Sequence, residues 1–161
     1  SSNKTGENSS AKHYSLLEFK DSDNNGYHLN HDQGGNDQGP SNKALVTQAR
    51  TVWFFSRLYN SPYGIKEHLV LAEHGFQFLK DHMWDNEFGG FYWEVDLEGS
   101  ATTKPHKHLY GQSFGLYALA EYIQASNDPD AVHLADRLFQ LLEFHAHDSL
   151  HGGFNEFFLS N

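Results

Sequence analysis

Between residues 66 and 81 apolar positions recur every three or four residues. Leu69, Ala72, Phe76 and Leu79 fall on one side, with Glu73, Gln77 and Lys80 opposite. The stretch 130–146 does the same: Ala131, Leu134, Ala135, Leu138, Leu141 and Leu142 face one way and Asp136, Arg137 and Gln140 the other. This period predicts two amphipathic helices, each with one face in water. Asp128 before Pro129 predicts an N-cap with proline in the first helical position. Residues 43–59 and 108–125 read differently. In the second of these, Leu109, Leu116, Ala120 and Ile123 make one stripe, and Tyr110, Phe114 and Tyr117 make another. A helix apolar on nearly every side is covered on several sides.

The two kinds of helix alternate, and the alternation repeats. DNEFGGFYWEVD (85–96) and DSLHGGFNEFF (148–158) share an Asp, three residues, then Gly-Gly-Phe, with Asp85 and Asp148 63 residues apart. DSDNNGYHLNHD (21–32) is a weaker copy, and its Gly26 stands 64 residues before Gly90. Lys43 and Lys107, and Gln48 and Gln112, are also 64 apart. Ala72 and Ala135, Phe76 and Phe139, and His82 and His145 are 63 apart. Coincidences in one register point to a structural repeat. Each unit reads as an outer helix, a glycine-rich loop and an inner helix, which predicts an array of αα-hairpins, open or closed into a ring. The loops GGFYWEVD and GYHLNHD alternate with period two and predict short hairpin-like segments, while 33–41 (QGGNDQGPS) reads as a flexible connection. Residues 1–12 read as a disordered segment and 13–161 as part of a single domain.

Composition narrows the partners. Asp and Glu number 21 against 11 Lys and Arg, a formal charge of −10, which argues against nucleic acid or an anionic membrane as partner. Cysteine is absent, so disulfide and thiolate chemistry are excluded. No run of 18 apolar residues is present and SSNKTGENSS at the start is polar, so neither a membrane span nor a signal peptide is read and a cytoplasmic location is expected. The chain starts at Ser1 and its one methionine is Met83, so a portion of a longer protein is expected.

One charge stands out. Arg50, in QARTVWFFS, sits inside the apolar inner helix. The repeat makes position 50 equivalent to 114, 46 to 110 and 53 to 117, so Arg50, Tyr110 and Phe114 should face a common region. A guanidinium among polar-tipped rings suits a ligand site; a carboxylate from another helix or snorkelling to solvent would equally satisfy it.

KALVTQARTVWFFSRLY, GGFYWEVDLEG and KHLYGQSFGLYALAEYIQA together resemble the N-acylglucosamine 2-epimerase superfamily, over about Leu16 to Phe158. The resemblance is strongest to its cellobiose 2-epimerase and aldose–ketose isomerase branches. It implies an all-α fold, an (α/α)6 toroid of which this chain would be the N-terminal part. It also implies epimerisation at C2 of a reducing-end sugar, or C1–C2 isomerisation, through an enediolate and without a cofactor or metal. By resemblance Arg50 matches the site arginine, placed where negative charge develops, and Tyr110 matches a sugar contact. Phe114 and Trp53 are candidate sugar-binding rings, although Trp53 reads first as a core residue. The acid–base histidines of the family lie in later repeats, so none of the 12 histidines here receives that role and the chain alone is expected to be inactive. Which sugar is bound, and in what oligomeric state, is not legible.

Three other readings compete. Glu94 and Asp96 lie on one side of an extended segment and suggest the two carboxylates of a glycoside-processing enzyme on the same toroid. His145, His147, Asp148 and His151, with His106 beside His108, suggest a metal site, but their spacing lacks a tetrahedral set. A helical array can also serve as a non-catalytic binding module.

Overall fold

The computed structural model describes residues 19–145, except 31, 35, 37 and the side chain of 145, together with the backbone of 157–158. Two αα-hairpins make up the body. Strand β1 (Lys43–Ala44) runs into helix α1 (Leu45–Tyr59), which is followed by α2 (Lys66–Phe78) and a π-helical turn over Leu79–Met83. After β2 (Glu94–Val95) and β3 (Thr102–Lys104), strand β4 (Lys107–His108) leads into α3 (Leu109–Ser126) and α4 (Pro129–His145). The predicted hairpin array is therefore present. Helices α1 and α3 pack side by side, and α2 and α4 lie outside them.

The start of α4 is as expected: Asp128 Oδ1 accepts the Asp130 N–H at 2.9 Å, with Pro129 in the first helical position. Asn127, at φ 55°, ends α3 in the left-handed conformation. The outer helices bury much of the predicted stripe, with Ala72, Phe76, Ala131, Leu134 and Leu138 in the core. Phe76 stacks on Tyr122 at 4.6 Å and joins outer helix α2 to inner helix α3.

The inner helix departs from expectation. Its buried face is Gly111, Gln112, Gly115, Ala118, Leu119 and Tyr122. The stripe Leu109, Leu116, Ala120, Ile123 is only half-buried, and Ala120 is exposed. A hydrophobicity pattern overlooks glycine, yet glycine is what lets the loop reach the helix: a Cβ at Gly115 would stand 2.7 Å from the Phe91 ring. Of the equivalent positions in α1, Leu45, Val52 and Ser56 are fully buried and Tyr59 is half-buried, because α3 lies over α1. The stripe on α3 is the same contact surface, left open among the described residues.

The loops form a small sheet in the order β1-β2-β3, with Lys43 opposite Val95. Strand β5 (Phe157–Phe158) pairs with β4 in the equivalent way, Lys107 opposite Phe158. The connection at 33–41 is tied down rather than running free: Asp32 Oδ1 accepts N–H groups from Gly34 and Asn36 at 2.8 and 2.9 Å, and the Gln38 N–H reaches the Asn30 carbonyl at 2.7 Å.

Each loop is held to its inner helix by the same latch. Asp21 accepts N–H groups of Asp23 and Asn24 through one oxygen and the Lys43 ammonium through the other, at 2.9 Å. Asp85 does the same with Glu87, Phe88 and Lys107, the ammonium at 2.7 Å. The amide of Gln48 both accepts from the Tyr27 N–H and donates to its carbonyl, and Gln112 treats Phe91 identically. Between these anchors Gly26 and Gly90 turn the chain at φ +67° and +79°, where a side chain is disfavoured. All four charged groups of the two latches are buried.

Burial alone would raise both aspartate pKa values. The lysine hydrogen bond, the turn N–H groups and the lysine charge outweigh it and hold both below the usual 3.8. A carboxyl with a depressed folded pKa contributes stability that is complete above its unfolded value and is lost as pH falls through the folded one. The melting temperature should therefore hold through about pH 5 and decline below about pH 4. The same decline in an Asp85→Asn/Lys107→Met, Asp21→Asn/Lys43→Met variant would show that the latches are not its source.

Candidate functional site

The exposed face of the inner helices carries the residues singled out from the repeat. Arg50 projects from α1, and its guanidinium carbon lies 5.8 Å from the centre of the Phe114 ring on α3. Tyr110, one turn before Phe114, meets that ring edge-on at 5.0 Å and 74°. Arg50, Tyr110 and Phe114 are thus brought together, as expected. Trp53 lies one turn beyond Arg50 and is 36% exposed, which places it at the surface rather than in the core. Tyr110 is 55% and Tyr117 70% exposed, so two phenols are presented on the same face.

Of the two ways to satisfy Arg50 without a ligand, the ion pair is not formed: among the described residues its recorded partner is the Phe114 ring, and no carboxylate pairs with it. The guanidinium is exposed, and its N–H donors are available to an oxygen ligand above the aromatic floor. In general, aromatic rings can pack against the C–H side of a pyranose while a fixed cation and phenol hydroxyls take its oxygens.

The competing carboxylate pair does not assemble. Glu94 is held by Asn42, Thr103 and Lys104, which keep its pKa low against the effect of burial. Asp96 caps a turn by accepting from the backbone and hydroxyl of Ser100. Each carboxylate has a structural use, and neither faces the other across a cleft. Among the described residues no group of three potential metal ligands is present; His147, Asp148 and His151 lie outside them. His82 bonds the Gly99 carbonyl at 3.0 Å, while the side chain of its repeat partner His145 lies outside the described residues. No described helix is long and apolar enough to cross a membrane.

The sequence reading missed that the repeated Asp, Lys, Gln and Gly act as one unit. Their common spacing was visible, but what joins them is three-dimensional: a lysine in the short strand before the inner helix, and a glutamine in that helix's first turns, reach back to the loop of the same repeat. The signal available was a charge of each sign kept in register through both copies.

Comparison with known proteins fits this geometry. The sequence model of the N-acylglucosamine 2-epimerase family matches residues 26–160. A cellobiose 2-epimerase of Dictyoglomus turgidum is 40% identical over 128 residues, 78% of this chain and 32% of that protein. The solved cellobiose 2-epimerase of Spirochaeta thermophila superposes with a TM-score of 0.82 at 34% identity, covering 89% of this chain and 35% of that one. A D-mannose isomerase structure superposes at 0.80 with 24% identity, a likeness of fold alone. The chain spans about a third of the length of these relatives. The described hairpins are part of an (α/α)6 toroid. By its sequence, its repeat and its fold, the chain belongs to the N-acylglucosamine 2-epimerase family.

Proposed function

We propose that the protein is a sugar epimerase or isomerase that acts at C2, or across C1 and C2, of a reducing-end sugar. The observation that carries this reading is the Arg50 guanidinium, poised over Phe114 beside Tyr110 with no carboxylate among the described residues to neutralise it. Two cellobiose 2-epimerase relatives at 40% and 35% identity support it and favour a glucose-containing disaccharide as substrate. A cytoplasmic setting suits such a reaction.

In this reading the sugar opens, and a base takes the proton from C2, next to the aldehyde carbon. The electron pair moves onto the carbonyl oxygen, giving an enediolate. Arg50 donates N–H groups to that oxygen where the charge develops, and it stays protonated throughout. Tyr110 bonds a sugar oxygen, and Phe114 and Trp53 line the apolar side of the pyranose. Return of a proton to the other face of C2 gives the epimer, and to C1 the ketose. The acid and base come from elsewhere in the ring. The 161-residue chain alone is therefore expected to turn nothing over.

The test joins this chain to the remaining two-thirds of the Dictyoglomus relative and incubates it with cellobiose in D2O. The expected product is a disaccharide of unchanged composition apart from one deuterium, at C2 in the epimer or at C1 in the ketose. Release of free glucose would establish hydrolysis instead, and an epimer without solvent deuterium would eliminate an enediolate open to exchange.

A further inference from the structure

Asn25 stands in the first loop where the repeat puts Gly89 in the second, and both take a left-handed backbone, at φ 63° and 78°. Few residues other than glycine accept that conformation, and asparagine is among the readiest of them. The exchange brings chemistry with it. Asn25 is the one asparagine of the chain that glycine follows. It is exposed, and among the described residues neither its side-chain amide nor the Gly26 N–H has a recorded partner. Asn127 is the contrast. It too is exposed and left-handed, but a residue with a side chain follows it, and the Asp128 N–H donates to Ser126 Oγ at 3.1 Å.

We propose that Asn25 is a site of spontaneous deamidation and that the first latch sets its rate. The Gly26 nitrogen attacks Asn25 Cγ. A C–N bond forms, the Cγ–Nδ2 bond breaks, and ammonia leaves with the proton that the Gly26 nitrogen gives up. Water then opens the cyclic imide, at Cγ to give aspartate or at the main-chain carbonyl carbon to give an isoaspartyl link. Glycine favours the attack because no Cβ shields its nitrogen. To reach Cγ that nitrogen must swing about the Cα–C bond of Asn25, and the carbonyl on the same bond swings with it. That carbonyl accepts the Lys43 ammonium, which also holds the Asn24 carbonyl at 3.1 Å and Asp21 at 2.9 Å. On the other side the Gly26 carbonyl is fixed by the Asp21 N–H at 3.0 Å and by His74 Nε2 at 2.6 Å. The peptide plane between Asn25 and Gly26 therefore turns only when Lys43 lets go, so each lost amide marks a local opening of the latch. The second latch, with Gly89 at this place, keeps no such record.

The experiment incubates the 161-residue chain at mildly alkaline pH and follows, by peptide mass spectrometry, the gain of one mass unit that accompanies exchange of NH2 for OH. The free peptide KDSDNNGYHL (20–29) sets the unrestrained rate. In the chain the gain should appear at Asn25 and not at Asn127. It should be at least about tenfold slower than in the peptide, the effect of one hydrogen bond from a charged donor. Asp21→Asn/Lys43→Met removes the latch without stranding a charge and should bring the rate up to that of the peptide. An equal gain at Asn127, no gain at Asn25 in the folded double variant, or the same rate in wild type and double variant overturns the proposal. Should the double variant fail to fold, wild type against peptide decides alone: equal rates would show that no latch restrains the turn.

Discussion

Replacing Lys107 with methionine will destabilise the protein by about 3–5 kcal/mol, the usual cost of stranding a buried charge. Lys107 and Asp85 are 1% and 3% exposed and bond at 2.7 Å. Methionine fills much of the lysine stem's volume, so the loss comes from the Asp85 carboxylate, which keeps its two turn N–H groups but no countercharge. Asp85→Asn on that background removes the orphaned charge while keeping an oxygen for the turn, and should restore a large part of the loss. Urea melts of the single and double variants measure both numbers. A single variant within about 1 kcal/mol of wild type would mean that the carboxylate finds water or takes up a proton at little expense.

Arg50→Ala will lower kcat in the ring-completed protein by about a hundred- to a thousandfold, the range seen when one donor to a developing oxyanion is removed. KM should change little if the guanidinium acts mainly on the enediolate. Stability should stay within about 0.5 kcal/mol of wild type, because Arg50 is an exposed residue whose recorded contact is the Phe114 ring. Arg50→Lys should recover part of the rate, since a point charge remains but the two-pronged donor does not. Unchanged kcat in the alanine variant would take Arg50 out of the chemistry.

The helices and their repetition were legible because both are carried by spacing. Phe76 and Leu138 announce their burial by period alone, and Asp128 before Pro129 announces its cap. Arg50, Tyr110 and Phe114 could be placed together because repeat-equivalent positions point alike. The sequence did not reveal which side of α3 is core. That side is built on Gly111, Gln112 and Gly115, residues chosen for closeness and hydrogen bonding rather than hydrophobicity. Nor could spacing show Lys43 and Asp21 in contact, since a buried ion pair looks like any two surface charges along a chain.

Latch partners sit 22 residues apart in both units, and the glutamine clasps 21. Such short spans close quickly and at small entropic cost. A nascent chain leaving the ribosome can fasten each loop to its own inner helix before the following hairpin has been synthesised. The ring is then built in order of translation, each unit offering the next a finished surface to dock on.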